Sequence, residues 1–260
     1  MPARPSARLT LTALSGIPLI QPGDDLPAII GDALRLSEIS LQNGDILVVA
    51  QKVISKAEGR MVDLATIHPS PAALKYAQMV NKDPRLVEVV LRESETVLTL
   101  APNALITVHR LGFVMANAGV DQSNVDHAGT KDGTALLLPE NPDRSAAALK
   151  SAMEAKFSVR IGVAISDSFG RPWRKGVTGV AIGAAGLPSL RSLVGKPDLF
   201  ARALRISEHA AADDIAAAAS LLMGQGAEGM PVVHIRGLSY DDPDLPASAL
   251  IRPKDQDVFR

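Results

Sequence analysis

Val163-Ala164-Ile165-Ser166-Asp167-Ser168-Phe169-Gly170-Arg171-Pro172-Trp173-Arg174 is the stretch on which the reading of this chain turns. An apolar run with strand character, Val159 to Ile165, leads into Asp167-Ser168, two oxygen-bearing side chains side by side. Gly170 is expected to turn the backbone, and Arg171 and Arg174 follow on either side of Trp173, the only Trp of the chain. A carboxylate and a hydroxyl at a strand end suit a hard divalent cation, which prefers oxygen donors. Guanidinium groups close by suit phosphate or carboxylate. A cation beside an anion is the setting of nucleotide-driven phosphoryl transfer. The same residues also fit a polar turn whose Asp caps the next segment, and the stretch alone does not choose between the two.

Outward from this stretch, strand and helix patterns alternate. Leu9 to Leu14 alternates apolar residues with Thr, as a half-buried strand does. Asp24-Asp25 precede a helical period from Leu26 to Leu36 and read as its cap. After the turn Asn43-Gly44-Asp45, Ile46 to Ala50 is continuously apolar, the pattern of a strand buried on both faces. Gln51 to Lys56 leaves it carrying polar groups. Residues 69 to 95 read as helical, punctuated by Pro69, Pro71 and Pro84. Val97 to Leu100, Ile106 to His109 and Phe113 to Ala116 read as short strands. Gly119 to Thr134 is polar and Gly-rich, hence a loop.

Ser145 to Lys156 reads as a helix with Ser145 as its N-cap. Gly176 to Gly186 is glycine-rich, which implies close backbone packing. Ser207 to Met223 reads as an Ala-rich helix and Pro231 to Ile235 as a last strand. The Pro- and Asp-rich tail, residues 238–260, is expected to be loosely held. The fold class is α/β, a mixed α+β arrangement, in one module over residues 1–260 with its core at about 9–237.

Composition narrows the function. The chain has 260 residues, 47% of them hydrophobic, so a substantial core is available. Its net charge of −1 and 3% aromatic content give no footprint for nucleic acid or an anionic membrane. With no cysteine, thiolate catalysis and Cys-based zinc are excluded, and a reducing cytoplasm fits. His109, His127 and His234 are scattered, and without an H-E-x-x-H motif a His-based zinc centre is not indicated. Met1 to Leu14, with Arg4 and Arg8, lacks the pattern of a signal peptide. No apolar run approaches the roughly 20 residues of a membrane-spanning helix.

No Walker loop, G-x-x-x-x-G-K-S/T, is present. Gly224-Gln225-Gly226-Ala227-Glu228-Gly229 matches G-x-G-x-x-G, but it closes a helix and precedes a strand, the reverse of a Rossmann fingerprint. It reads first as a glycine C-cap. The alternative is a loop whose amides reach a phosphate and whose Gln225 or Glu228 supplies an oxygen.

Taken together, several segments resemble the coenzyme F420-0:L-glutamate ligases. They are Gly16-Ile17-Pro18-Leu19 with Gly23-Asp24-Asp25-Leu26, Gly44-Asp45, and Ala50-Gln51-Lys52-Val53-Ile54-Ser55-Lys56-Ala57-Glu58-Gly59-Arg60. Asn117 to Val125, Asp167 to Arg174, Gly179 to Gly186 and the loop around Gln225 complete the set. The match runs in order from about Leu9 to Gly237.

The resemblance implies a mixed α/β fold in an intertwined homodimer. It implies GTP-dependent γ-linkage of L-glutamate to the deazaflavin precursor F420-0, with GDP and phosphate released. Two divalent cations, Mn2+ or Mg2+, are implied, with room for a monovalent cation such as K+. One divalent cation is expected on Asp121 and Asp167, the other on Ser168 and Gln225. Members often have Thr where Ser168 stands, and the hydroxyl is kept.

GTP is expected to touch Gly16, Ile17, Pro18, Leu19, Gln51, Lys56, Asn124, and the loop Met223, Gly224, Gln225, Gly226, Ala227, Glu228, Gly229 and Met230. If Gln51 and Lys56 both reach GTP, the strand must end between them, because an odd spacing puts them on opposite faces. Arg171 and Arg174 are expected to hold either a phosphate or a substrate carboxylate. Asp213-Asp214 is given no role. Each position also has a plainer reading: Asp121 opening an Asx-turn with Ser123, Asn124 as a turn residue, Lys52 and Lys56 on a solvated face. A related ligase acting on another carboxylate acceptor and a non-catalytic nucleotide-binding relative are the competing functions.

Overall fold

The computed structural model describes residues 7–125 and 133–258. His127, the 126–132 part of the expected loop and Arg4 of the N-terminal reading lie outside the described residues. In chain order the strands are β1 (Thr10–Ala13), β2 (Ile46–Ala50), β3 (Met61–Asp63), β4 (Ser94–Ala101), β5 (Ala104–His109), β6 (Val114–Ala116), β7 (Thr134–Leu136), β8 (Gly162–Arg171), β9 (Arg174–Ala185), β10 (Arg191–Ser192), β11 (Glu208–His209) and β12 (Val232–Arg236). The helices are α1 (Leu26–Leu36), α2 (Gln51–Ala57), α3 (Pro71–Val80), α4 (Pro84–Arg92), α5 (Pro142–Phe157) and α6 (Ala211–Met223).

A five-stranded sheet in the order β1-β12-β2-β8-β9 forms the centre. β2 and β8 are parallel, and the other neighbours are antiparallel. The apolar runs of β2 and β8 are buried on both faces because helices cover both. Leu47, Val49, Val163 and Ile165 face one core with Ile30 and Leu34 of α1 and Leu149 and Met153 of α5. Ile46, Val48 and Ala164 alternate onto the other core, against Ala212, Ile215, Ala216 and Ala219 of α6. A third core joins α3 and α4 to β5 and the residues around Val120 and Ala135. The Phe113 and Phe169 rings meet edge to face at 6.0 Å and link the β4-β5-β6 sheet to β8.

Two glycines decide how closely the helices approach β9. A Cβ at Gly179 would lie 2.4 Å from the Ala216 carbonyl oxygen of α6, and one at Gly183 would lie 2.4 Å from the Pro142 carbonyl oxygen of α5. The glycine-rich strand is therefore what lets backbone pack on backbone. Between the Ile165–Gly183 and Ser166–Ala181 pairs β9 carries an extra residue, a bulge one residue before Asp167. The Asp213 carboxylate accepts from the Ala181 amide at 3.0 Å, and that of Asp143 from the Ala184 amide at 2.9 Å. Each helix thus fixes β9 beside the bulge. Asp213 has a structural part to play where the sequence assigned none.

Several boundaries differ from expectation. β8 does not end at Asp167-Ser168 but runs on to Arg171, because β9 continues to pair with it. The turn falls at Pro172-Trp173, with Trp173 at φ 60°, rather than at Gly170. α5 starts at Pro142 with Asn141 as its N-cap, accepting from the Arg144 amide. Ser145 lies inside the helix and its hydroxyl bonds Glu58. Residues 208–209 are strand, so α6 is shorter than expected. The tail is docked rather than loose: Ala247 is fully buried, and its amide and that of Ser248 donate to the Asp143 carboxylate.

Candidate active site

The chain delivers four segments to one edge of the central sheet. Because β2 and β8 are parallel with Ala50 opposite Ser166, residues 51–52 and 167–168 leave that edge side by side. β12 enters at the same edge, its preceding Pro231 carbonyl accepting from the Ala50 amide at 2.8 Å. β1 leaves there too, with the Leu14 amide on the Val232 carbonyl, so Gly16 to Leu19 follow directly. The carboxyl ends of parallel strands are where α/β sheets place ligands.

A cavity of about 510 Å³ occupies this edge. Ile17, Pro18, Leu19, Gln51, Lys56, Asp121, Asn124, Asp167 and Ser168 line it. So do Met223, Gly224, Gln225, Gly226, Ala227, Gly229 and Met230. Four of the expected residues do not. Gly16 packs at φ 79° against Leu36. Glu228 turns back into its own loop, its carboxylate accepting from the Gly226 amide at 2.7 Å. Arg171 and Arg174 pair at the end of the β8–β9 hairpin, exposed, at a position where the strand has carried them about 13 Å beyond Asp167 at about 3.3 Å per residue. The hairpin continues instead of turning at Gly170, and that separates the arginines from the acid.

Lys52 also lines the cavity, and the sequence had left it on a solvated face. The strand ends at Ala50 and Gln51 opens a helix, so Lys52 and Lys56 stand one turn apart on a common face. Lys52 Nζ donates to Asp121 Oδ2 at 2.6 Å, and to the Ser123 carbonyl and hydroxyl oxygens at 2.7 Å each. Lys56 Nζ donates to the Asn124 carbonyl at 2.7 Å. Asn124 Nδ2 reaches the Gly226 carbonyl at 3.1 Å and ties the 121–125 segment to the glycine loop. Gln51 is 2% exposed and accepts from the Ser55 hydroxyl at 2.8 Å, which fixes its amide at the cavity wall. The i, i+4 relation of Lys52 and Lys56 was the available signal for Lys52, but it appears only once the segment is read as helix.

Asp121 does open an Asx-turn: its Oδ1 accepts from the Gln122 and Ser123 amides at 2.7 and 2.9 Å. Oδ2 accepts from the Ser123 hydroxyl at 2.7 Å and from Lys52, so the turn and a place at the cavity coexist. Burial works against the Asp121 charge, but the Lys52 ammonium and the Ser123 amide and hydroxyl outweigh it and hold the carboxyl below its usual range. Asp167 goes the other way. Burial, opposed by the Ser168 amide and reinforced by the Asp121 charge, pushes it up to about 7.

The donor set fits a hard cation: two carboxylates, the Ser168 hydroxyl and the Gln225 amide oxygen at one cavity. Among the described residues no three His, Cys, Asp or Glu side chains form a metal cluster. Two carboxylates are the complement of a site that completes its coordination with substrate phosphates.

The F420-0:gamma-glutamyl ligase family model matches residues 16–237. The coenzyme F420:L-glutamate ligase of Methanothermobacter thermautotrophicus is 42% identical over 254 residues, covering 97% of this chain and 99% of the relative. That of Methanopyrus kandleri is 45% identical over 246 residues, 93% of each. That of Methanocaldococcus jannaschii is 43% identical over 234 residues, 88% of this chain and 92% of the relative. With its cavity-lining segments all inside the matched span and near-full-length relatives at this identity, the protein belongs to the F420-0:gamma-glutamyl ligase family.

Proposed function

We propose that this protein adds L-glutamate through its γ-linkage to the F420-0 deazaflavin precursor, using GTP, as a single module over its whole length. Its family and the names of its relatives support the ligation. The observation that carries the nucleotide part is the meeting of Asp121, Asp167, Ser168 and Gln225 with Lys52 and Lys56 at one cavity.

A carboxylate does not condense with an amine in water without activation. GTP would phosphorylate the terminal carboxylate of F420-0, forming an acyl phosphate and releasing GDP. The glutamate amine then attacks the acyl carbon, and phosphate leaves. Two Mn2+ or Mg2+ ions, one held by Asp121 and Asp167 and one by Ser168 and Gln225, would supply charge neutralisation for the phosphates. Lys56, beside Asn124, offers a point charge to phosphate. Residues 17–19 and the 223–230 loop would flank the nucleotide, with Gln51 and Asn124 between them. Glu228 shapes its loop and needs no ligand contact to do so.

Assembly as a homodimer belongs to the same reading, with the family resemblance as its support. The cytoplasm is the expected location. Among the described residues no helix is long and apolar enough to cross a membrane.

The test incubates purified protein with F420-0, L-glutamate, GTP and Mn2+ and weighs the product by mass spectrometry. A gain of one or more glutamyl units, with GDP formed in step, supports the reading. GTP hydrolysis without a glutamylated product points to another acceptor. Glutamylation that proceeds without a nucleotide overturns it.

A further inference from the structure

We propose that Lys52 is a resident counter-ion that holds the cation position of Asp121 until a divalent cation displaces it. The inference rests on the cation-binding reading of Asp121 above. An ammonium has three hydrogens to donate, and here all three acceptors are on one short segment: Asp121 Oδ2, the Ser123 carbonyl and the Ser123 hydroxyl, at 2.6, 2.7 and 2.7 Å. They form an oxygen cage of the kind a hard cation takes. The carboxylate is half-buried, and a second carboxylate, Asp167, shares the cavity. Without a positive charge at Oδ2 the two acids would repel each other.

The arrangement has consequences beyond packing. A cation arriving at Asp121 must break the Lys52 contact, so cation binding without nucleotide is held weak. Lys56 stands one helical turn away on the same face of α2. A Lys52 ammonium released from the cage is therefore carried on the face that already presents a charge to the cavity, where the anionic triphosphate stabilises it. Nucleotide and cation then favour each other's binding, since the anion receives the ammonium that the cation expels.

The test measures Mn2+ affinity by the electron paramagnetic resonance of free Mn2+, with and without a non-hydrolysable GTP analogue, in wild type, Lys52→Met and Lys52→Arg. Lys52→Met is expected to bind Mn2+ at least tenfold more tightly without nucleotide, and to lose most of the tightening that nucleotide gives wild type. Lys52→Arg, which keeps the charge, is expected to stay within about threefold of wild type. Thermal melts check folding, and if Lys52→Met does not fold, Lys52→Gln, which removes the charge and keeps a hydrogen-bond donor, is expected to tighten nucleotide-free Mn2+ binding at least threefold. Unchanged or weaker nucleotide-free affinity in the folded variant overturns the proposal. Wild type that binds no Mn2+ even with nucleotide overturns the cation reading itself, which separates the two failures.

Discussion

Lys52 Nζ lies 2.6 Å from Asp121 Oδ2, across a sequence separation of 69 residues. This contact joins the helix that continues β2 to the turn at Asp121, and it helps keep that carboxylate charged. The carboxylate with the ammonium is held ionised, while burial and the Asp121 charge push the Asp167 carboxyl toward its neutral form. Two acids in one cavity with opposed shifts mark a functional centre more specifically than either acid alone.

Replacing Asp121 or Asp167 with Asn keeps shape and removes the charge. Each variant is expected to lower kcat by about two orders of magnitude or more, the scale lost with a major electrostatic contact to a transferring phosphoryl group. Both variants are expected to fold, and Asp167→Asn, which no longer buries a charge, is expected to melt several degrees above wild type at neutral pH without cations. The glutamylated product, quantified by mass spectrometry, is the readout.

Asp167 also predicts a pH dependence. Its usual pKa is 3.8 and its folded value is about 7. Between those values the folded protein keeps a proton that the unfolded chain has released, so this group's contribution to stability falls as pH rises from about 4 to about 7 and is level above. The difference in unfolding free energy between wild type and Asp167→Asn, from urea midpoints without cations, should follow that curve with an amplitude on the order of a few kcal/mol. A cation needs the carboxylate, so Mn2+ affinity should climb with pH by up to about tenfold per unit until about pH 7.

Gly179 and Gly183 are predicted to be intolerant of any side chain. A Cβ at either would lie 2.4 Å from a helix carbonyl oxygen, and backbone cannot move aside as a flexible side chain can. Gly179→Ala should destabilise by about 1–3 kcal/mol, read from denaturant midpoints. It should also raise the KM for GTP, because α6 ends in the glycine loop.

Asp45 tests the opposite edge of the sheet. It is buried, and Arg236 donates to both of its oxygens at 2.8 and 2.6 Å, with His234 Nε2 at 2.9 Å. Burial opposes its charge, and Arg236 and His234 nevertheless hold its pKa down. Asp45→Ala is expected to cost about 1–3 kcal/mol, the scale for losing hydrogen bonds to a charged group, since water still reaches the Arg236 guanidinium. Turnover per folded molecule should be unchanged, since the pair stands at the start of β2 and the cavity at its end.

Much of this architecture was legible in the sequence because it follows from local patterns. The apolar run Ile46–Ala50 and the period of Leu26–Leu36 gave both elements their bounds. Glycines 179 and 183 announced close packing, and Asp121, Asp167 and Gln225, chosen by resemblance, line one cavity. What was not legible depends on register and helical phase. Lys52 joins the site only because the chain turns helical at Gln51. Arg171 and Arg174 leave it because β9 goes on pairing with β8 past Gly170, a long-range contact that no local signal encodes. The tail looked loose by composition, yet Asp143, more than a hundred residues away, receives its amides.

The most direct measurement of the central claim is the number of Mn2+ ions bound per chain by equilibrium dialysis in the presence of a saturating non-hydrolysable GTP analogue. Two ions for wild type, falling in Asp121→Asn, Asp167→Asn and Gln225→Ala, is the predicted result. No nucleotide-dependent Mn2+, or two ions retained in all three variants, would contradict it.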